Sequence, residues 1–311
     1  MVGLGGNNFG WRLDADDTAK VVHAAVDTGI NFFDTADLYG DGTSEEYLGA
    51  ALAGVRDDVV VATKFGMAKP PKTLTGPRLT GGDPVWVRQA VDGSLRRLGT
   101  DWIDLFLFHQ PDPAVPLADT LGALHEQVVA GKVREIGCSN FDAELLAEAA
   151  AIADDIDGTP FSCVQNRYSL LHREPEAEVL PWCEEMDTGF VPFFPLESGL
   201  LTGKVTEPGD PPPGTRLAGM TADRRAGFLS DSRLAAALRL QDHARSKDRT
   251  LLELAFAYLL AQAPLASVIA GAMNPDQVAA NAGAAGWQLT PDEVGEIREL
   301  VDTRGADTTE R

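Results

Sequence analysis

Short apolar runs that finish on a polar residue recur along this chain, each separated from the next by a stretch with helical spacing. Val2-Gly3-Leu4-Gly5 is the first. Asn31 to Asp34, Val59 to Lys64, Trp102 to His109, Val133 to Cys138, Phe161 to Gln165, Phe190 to Phe194 and Ala266 to Ala270 follow. Runs this short and this apolar read as strands. The intervening helices are marked by their ends. One runs from about Asp16 to Thr28 with Gly29 behind it, and another from about Ser44 to Ala53. Asp83-Pro84 caps a third, which runs to Leu98 and stops at Gly99. A fourth ends at Gly131, Asp142 opens a fifth, and another precedes strand seven. Stretches from about Asp231 to Ser246 and Leu251 to Gln262 lead to strand eight. Asn274-Pro275 caps one more, and Thr290 with Glu293 has the capping-box spacing of a last one.

Eight strands alternating with helices predict an α/β fold, a closed (β/α)₈ TIM barrel, as a single domain over residues 1–311. No internal repeat of solenoid length is present. Two connections are long, Phe65 to Gly82 and Pro195 to Ser230, the second carrying Pro211-Pro212-Pro213-Gly214. Both follow strands, so both fall on the C-terminal face, where such barrels keep their active sites. A Pro/Gly-rich loop there reads as a lid or clamp.

Alternation within the strands then picks out side chains. Ile103, Leu105, Leu107 and His109 share one face of strand four. Asp104, Phe106 and Phe108 share the other. Val60, Ala62 and Lys64 lie together on strand three, and Phe32 and Asp34 on strand two. If those faces point inward, Asp34, Lys64 and His109 converge at the barrel mouth. Neighbouring strands are about 4.8 Å apart, so the groups can touch. Tyr39 follows Asp34 after one turn.

Composition narrows the partners. The chain has 26 Lys and Arg against 47 Asp and Glu, a net charge of −21. Such a surface repels nucleic acid and anionic membranes. No apolar run is long enough to span a bilayer, and the N-terminus lacks a signal-peptide pattern. Cys138, Cys163 and Cys183 show no metal-ligand spacing and read as reduced core thiols of a cytoplasmic protein, so no metal site is expected. The acidity also means that a phosphate-bearing ligand must find local positive charge.

An acid, a phenol, an amine and an imidazole at successive strand ends suit the reduction of a carbonyl. Hydride addition leaves an alkoxide that needs a proton. A phenol ionises near about pH 10, and an adjacent ammonium lowers that value. Lys64 can supply the charge to Tyr39, and Asp34 the counter-ion to Lys64. His109 can donate a hydrogen bond to the substrate oxygen. The hydride must come from a cofactor. Taken singly, each residue reads as a cap, a loop aromatic, an ion-pair partner or a core histidine; the four together read as one site. A Rossmann dehydrogenase is the first rival, since Gly3-Leu4-Gly5 precedes Asp34 at the end of strand two. Asn8 stands where its third glycine belongs, and the strands are too many.

The residues resemble the aldo-keto reductase family. The pieces that carry the likeness are GLGGNNFG (3–10), FFDTADLYG (32–40), SEEYLG (44–49), VVATKFG (60–66), SLRRLGTDWIDLFLFHQPD (94–112), GKVREIGCSNF (131–141), QNRYSLL (165–171), FFPLESGLLTGK (193–204) and GAMNPDQ (271–277). The resemblance implies a (β/α)₈ barrel that binds NADP(H) and reduces an aldehyde or ketone. It makes Asp34, Tyr39, Lys64 and His109 a catalytic tetrad with Tyr39 as general acid. It gives the nicotinamide carboxamide to Ser139, Asn140 and Gln165, and the ring stack to Phe193. The pyrophosphate falls to the segment holding Leu196, Ser198, Leu200 and Lys204, with Arg216 assisting. Gly271, Met273, Gln277 and Asn281 fall at the adenosine and its 2′-phosphate, and Gly6, Asn7 and Trp11 at the substrate.

The chain departs from the family pattern at several of these places. Glu197 stands where a small residue is usual and brings a carboxylate toward the pyrophosphate. Ala270 replaces a proline and Ala280 a glutamate. Met273 replaces a residue that grips the 2′-phosphate, which opens the site to NAD(H). The first barrel strand opens the sequence directly, so the hairpin that often plugs the barrel floor in the family is expected to be absent or truncated. Some relatives are nucleotide-binding regulatory subunits, and alcohol oxidation or redox-neutral isomerisation can run on the same fold.

Overall fold

The computed structural model describes residues 1–67 and 81–302; most of the first long connection lies outside them. The strands are β1 (Val2–Gly5), β2 (Phe32–Asp34), β3 (Val60–Phe65), β4 (Ile103–Phe108), β5 (Val133–Ser139), β6 (Cys163–Gln165), β7 (Gly189–Phe190) and β8 (Val268–Gly271). All pair in parallel, in the order β7-β6-β5-β4-β3-β2-β1-β8. Phe190 also bridges to Leu265, donating its N–H to the Pro264 carbonyl at 2.7 Å, so the sheet curls round and closes. This is the (β/α)₈ barrel that the alternation predicts.

The helices are α1 (Ala15–Asp27), α2 (Thr43–Leu52), α3 (Pro84–Leu98), α4 (Leu117–Val129), α5 (Ala143–Asp155), α6 (Val179–Glu185), α7 (Ala222–Ala226), α8 (Asp231–Ser246), α9 (Leu251–Leu260), α10 (Pro275–Gly283) and α11 (Pro291–Asp302). Their ends are set by local chemistry. The Asp83 carboxylate accepts from the N–H groups of Val85 and Trp86, Pro84 takes the first helical position, and Gly99 stops α3 at φ 64°. Thr290 and Glu293 close the expected capping box at 2.9 and 3.3 Å. Thr250 and Glu253 form a second one at the start of α9. None of the helices among the described residues is long and apolar enough to cross a membrane.

Two cores result from strand alternation. Phe32, Ala62, Leu105, Leu107, Cys163, Val191 and Ile269 fill the barrel interior. Phe33, Val61, Phe106, Phe108 and Val164 face outward onto the helices, which return stripes such as Val21, Val22 and Ala25 of α1. Removing a side chain of this size from water contributes about 1.5–3 kcal/mol. The three cysteines are free and buried in these layers.

The seventh strand is shorter than its apolar run predicts. Pro192 has no N–H to give a ladder, and Phe194 turns to φ 54°, so only Phe193 returns to the sheet, as a bridge to Arg167. Strand eight begins two residues later than its run, at Val268, and extends to Gly271. The long connection after β7 is also more ordered than its Pro/Gly content suggests. It opens with a tight turn over Glu197–Thr202 and contains α7.

Candidate active site

Register sets the depth of the site. Asp34 pairs with Gly5 and Ala62, Lys64 with Leu107, and Ser139 with Gln165. Four inward core residues are followed two positions later by a polar one: Phe32 by Asp34, Ala62 by Lys64, Leu107 by His109 and Cys163 by Gln165. The apolar interior therefore ends in one layer of chemistry at the C-terminal rim.

Lys64 Nζ donates to Asp34 Oδ2 at 2.7 Å and to the Thr35 carbonyl at 2.7 Å. Gln165 Nε2 donates to Asp34 Oδ1 at 2.8 Å. Lys64 is fully buried. Burial opposes its charge, but Asp34 and Tyr39 together outweigh it and hold its pKa above the usual lysine value. The same ammonium lies 5.0 Å from the Tyr39 ring centroid. The His109 ring also lies against the phenol, centroid to centroid at 6.2 Å and nearly perpendicular. The sequence thus places Asp34, Tyr39, Lys64 and His109 in one cluster, and the fold brings them together.

The direction of the Tyr39 shift differs from expectation. Burial pushes the phenol above the usual tyrosine value, and Lys64 pulls it down without cancelling that effect. Desolvation of a phenolate in a closed pocket outweighs one adjacent cation. The phenol therefore keeps its proton until something accepts it. His109 moves further: burial first, and then Lys64, push it down to about 3, so the imidazole is neutral. Its Nδ1 is buried and has no hydrogen-bond partner among the described residues.

The cofactor candidates divide into several groups. Asn140 Nδ2 donates to the His109 carbonyl at 2.9 Å and to Ser139 Oγ at 3.1 Å. Asn140 adopts φ 62°, and its N–H donates to Asn166 Oδ1 at 2.6 Å. Gln165 spends one donor on Asp34, so it helps to fix the acid as well as to line the pocket. Phe193 is half-buried and packs edge-on against Phe194 at 5.4 Å. Leu196 is half-buried and Leu200 fully so, while Lys204 is exposed. Ser198 Oγ is buried and has no hydrogen-bond partner among the described residues. Ser198 and Gly199 follow Glu197 in left-handed backbone at φ 57° and 104°. An orphaned hydroxyl on such a turn fits a phosphate oxygen, as the pyrophosphate assignment requires.

Glu197 does not crowd that position. Its side chain is buried and turned away into a clamp. Arg167 and Ser169 each donate to it at 2.6 Å, and Arg233 of α8 donates as well. The carboxylate that the sequence brings toward the pyrophosphate segment is thus paired within the protein.

At the adenosine end, Asn274 caps α10 by accepting from Gln277 N at 3.0 Å, and Gln277 Oε1 accepts from Met273 N at 2.9 Å. Those two N–H groups are therefore already satisfied, leaving fewer donors for a phosphate than the helix start suggests. Met273 packs against the outer core. Asn281 and Ala270 are buried, and Ala280 is exposed. Gly271 faces Asn7 and Asn8: a Cβ there would lie 3.4 Å from Asn8 Nδ2 and 3.6 Å from Asn7 Oδ1.

On the substrate side, Gly6 is buried. A Cβ on it would come within 2.9 Å of Phe9 and 3.1 Å of Ser44 Oγ, so it contributes backbone alone. Asn7 is half-buried, and Trp11 stands exposed at the rim. Thr35, Asn166 and the Arg167–Glu197–Arg233 clamp were not singled out in the sequence. Asn166 was nearest to detection, since it follows Gln165 in a motif already recognised.

A buried, ion-paired lysine thus lies beside a phenol at the mouth of a parallel barrel. The chain belongs to the aldo/keto reductase family, whose model matches residues 1–302. It is similar to aldo-keto reductase str7 of Strobilurus tenacellus, 34% identical over 96% of this chain and 85% of that protein. Aldo-keto reductase yakc [NADP(+)] of Schizosaccharomyces pombe is also 34% identical, over 94% of this chain and 85% of its own length. Among solved structures, the glycerol dehydrogenase AKR11B4 from Gluconobacter oxydans superposes with a TM-score of 0.81 at 29% identity, covering 99% of this chain and 93% of that one.

Proposed function

We propose that this protein is an NADP(H)-dependent reductase of an aldehyde or ketone, with Tyr39 as the general acid. The observation that carries the reading is the Asp34–Lys64 ion pair set against the Tyr39 ring, with a neutral His109 also packed against that ring. A bound nicotinamide cofactor supplies hydride to the carbonyl carbon. The chain's own residues act at the oxygen. His109, held neutral, offers one N–H to orient it. Tyr39 gives up its proton as negative charge develops there, and Lys64 stabilises the phenolate that remains. Asp34 and Gln165 hold Lys64 in place. The same groups serve alcohol oxidation in reverse, with Tyr39 accepting the proton.

Ser139, Asn140, Gln165 and Phe193 would hold the nicotinamide. Leu196, Ser198, Leu200, Lys204 and Arg216 would hold the pyrophosphate, and Gly271, Met273, Gln277 and Asn281 the adenosine. Support for NADP(H) comes from one relative's name, "[NADP(+)]". The apolar Met273 leaves NAD(H) usable. Asn7 and Trp11 would meet the substrate. Three free buried thiols suit a cytoplasmic setting.

The test is turnover of a panel of aldehydes, ketones and sugars with NADPH and NADH side by side. Cofactor oxidation with at least one aldehyde is expected. Tight cofactor binding without turnover in either direction would favour a nucleotide-binding regulatory subunit instead.

A further inference from the structure

The wall behind the proton donor carries a second buried ion pair. Glu45, in the first turn of α2, is fully buried, and its Oε2 accepts from Arg97 Nε of α3 at 2.6 Å. Its Oε1 accepts from Thr63 Oγ1 at 2.6 Å. Thr63 sits on β3 one position before Lys64, so the two side chains leave opposite faces of the strand. Replacing a buried pair of this kind by apolar side chains is often neutral or stabilising, so stability alone does not account for it. Its position points instead to the turn that carries Tyr39.

That turn, Tyr39–Gly42, runs through left-handed backbone at three successive residues: Gly40 at φ 59°, Asp41 at 55° and Gly42 at 95°. Asp41 has a Cβ, so this conformation persists only where the surroundings impose it. Arg97 is part of those surroundings. A Cβ on Gly42 would lie 2.8 Å from Arg97 Cδ and 3.1 Å from its Nε, so the side chain rests on the bare backbone of the turn. Arg97 Nη2 donates to Ser94 Oγ at 3.3 Å, which holds the guanidinium against α3. Before the turn, Asp37 N donates to the Lys64 carbonyl at 3.1 Å. The segment with Tyr39 and the strand with Lys64 are therefore joined twice, once by that backbone bond and once through Arg97, Glu45 and Thr63.

We propose that Arg97, Glu45 and Thr63 form a brace outside the barrel that fixes the Tyr39 ring against the Lys64 ammonium, and that Arg97 and Thr63 are positioning residues for proton delivery. This deepens the reductase reading and rests on it. Thr63 faces away from the barrel interior, and Glu45 and Arg97 belong to the outer helices. They act through the turn and the strand, not on the reacting atoms. The separation they set is the 5.0 Å between Lys64 Nζ and the Tyr39 centroid. Proton transfer falls off steeply when its donor is misplaced.

The experiment compares Arg97→Ala, Arg97→Lys and Thr63→Val with the parent at saturating NADPH. The substrate is an aldehyde that the parent reduces, starting with para-nitrobenzaldehyde. Arg97→Ala should lower kcat about tenfold or more, and Arg97→Lys should recover part of that loss. Thr63→Val keeps the ion pair and the branched side chain, so it reads the brace where Arg97→Ala fails to fold; its kcat should fall about threefold. In each variant the NADPH dissociation constant should stay within about twofold of the parent's. The ratio of kcat in ordinary water to kcat in heavy water should rise, because proton delivery becomes the slow step. A parent-like kcat in the folded variants overturns the brace. A lower kcat with an unchanged water ratio makes the contacts purely structural, and a matching loss of NADPH affinity moves them to cofactor binding; either result also overturns it. A parent that reduces no aldehyde overturns the reductase reading and the brace with it, whereas an active parent whose variants keep its kcat overturns the brace alone.

Discussion

Asp34 and Glu197 are both buried carboxylates held by cations, yet they belong to different kinds of structure. Asp34 has one cation, Lys64, with nowhere else to go: that ammonium is shared with a backbone carbonyl and faces a phenol. Glu197 has two guanidiniums that reach toward solvent. Arg233 spends its other donors on the Leu171 and Phe228 carbonyls. The first arrangement couples a fixed charge to a proton that can leave. The second closes on itself and fixes a turn of left-handed residues. An ion pair becomes chemistry when its cation has a third neighbour that can ionise, and architecture when its donors are satisfied by the fold.

The largest effect is expected at Lys64. Lys64→Met strands a buried carboxylate and should cost about 3–5 kcal/mol of stability by denaturant unfolding. It should also lower kcat/KM by about a hundredfold or more. A variant as active as the parent would erase the distinction between the two centres.

Glu197→Gln should act the other way round. Its guanidiniums can partly re-solvate, so the stability loss should be about 1–3 kcal/mol. Because the turn holding Ser198 loosens, NADPH should bind about tenfold more weakly by fluorescence titration, with a much smaller change in kcat at saturation. A collapse of kcat with cofactor affinity intact would make Glu197 part of the chemistry.

A third carboxyl, Asp37, sharpens the contrast, because its Oδ1 is buried and has no hydrogen-bond partner among the described residues. Its pKa is pushed up to about 7, by burial first and then by Glu45. The folded state therefore binds more protons than the unfolded chain above about pH 4, and this contribution to stability is lost as pH rises toward about 7. His109 has the opposite sign. Its folded pKa of about 3 means that the unfolded chain binds the extra proton below about 6.5, so stability rises with pH across that window. Asp37→Asn should unmask the His109 slope, steepening the rise between about pH 4 and 6.5 by up to about 1.4 kcal/mol per pH unit. An unchanged pH–stability curve would mean that Asp37 is not held neutral.

The smallest effect is expected at the adenosine end. Met273→Arg should raise the preference for NADPH over NADH by about tenfold or less, since one charge-assisted contact is added at a half-buried position. A large preference already present in the parent would show that other groups read the 2′-phosphate.

The barrel was legible because strand alternation is a local property. Phe32, Ala62, Leu105 and Leu107 read as one inward face, and they fill the interior. The acid, amine and imidazole were legible for the same reason, as the next inward positions. The Glu197 clamp was not, because its partners Arg167 and Arg233 come from a strand extension and a distant helix, and no spacing rule links them. The Tyr39 shift was read with the wrong sign because a sequence shows which charges are near but not how dry the pocket is. The short β7 was misjudged although Pro192 was in plain view. The pairing of Phe193 through a single bridge depends on the turn at Phe194.

The central claim is that a dry phenol beside a paired lysine delivers the proton. It is tested most directly by Tyr39→Phe, with turnover and NADPH binding measured on the same preparation. The account predicts that kcat falls by about 10²–10⁴ while the NADPH dissociation constant stays within about twofold. Full turnover in that variant would contradict it.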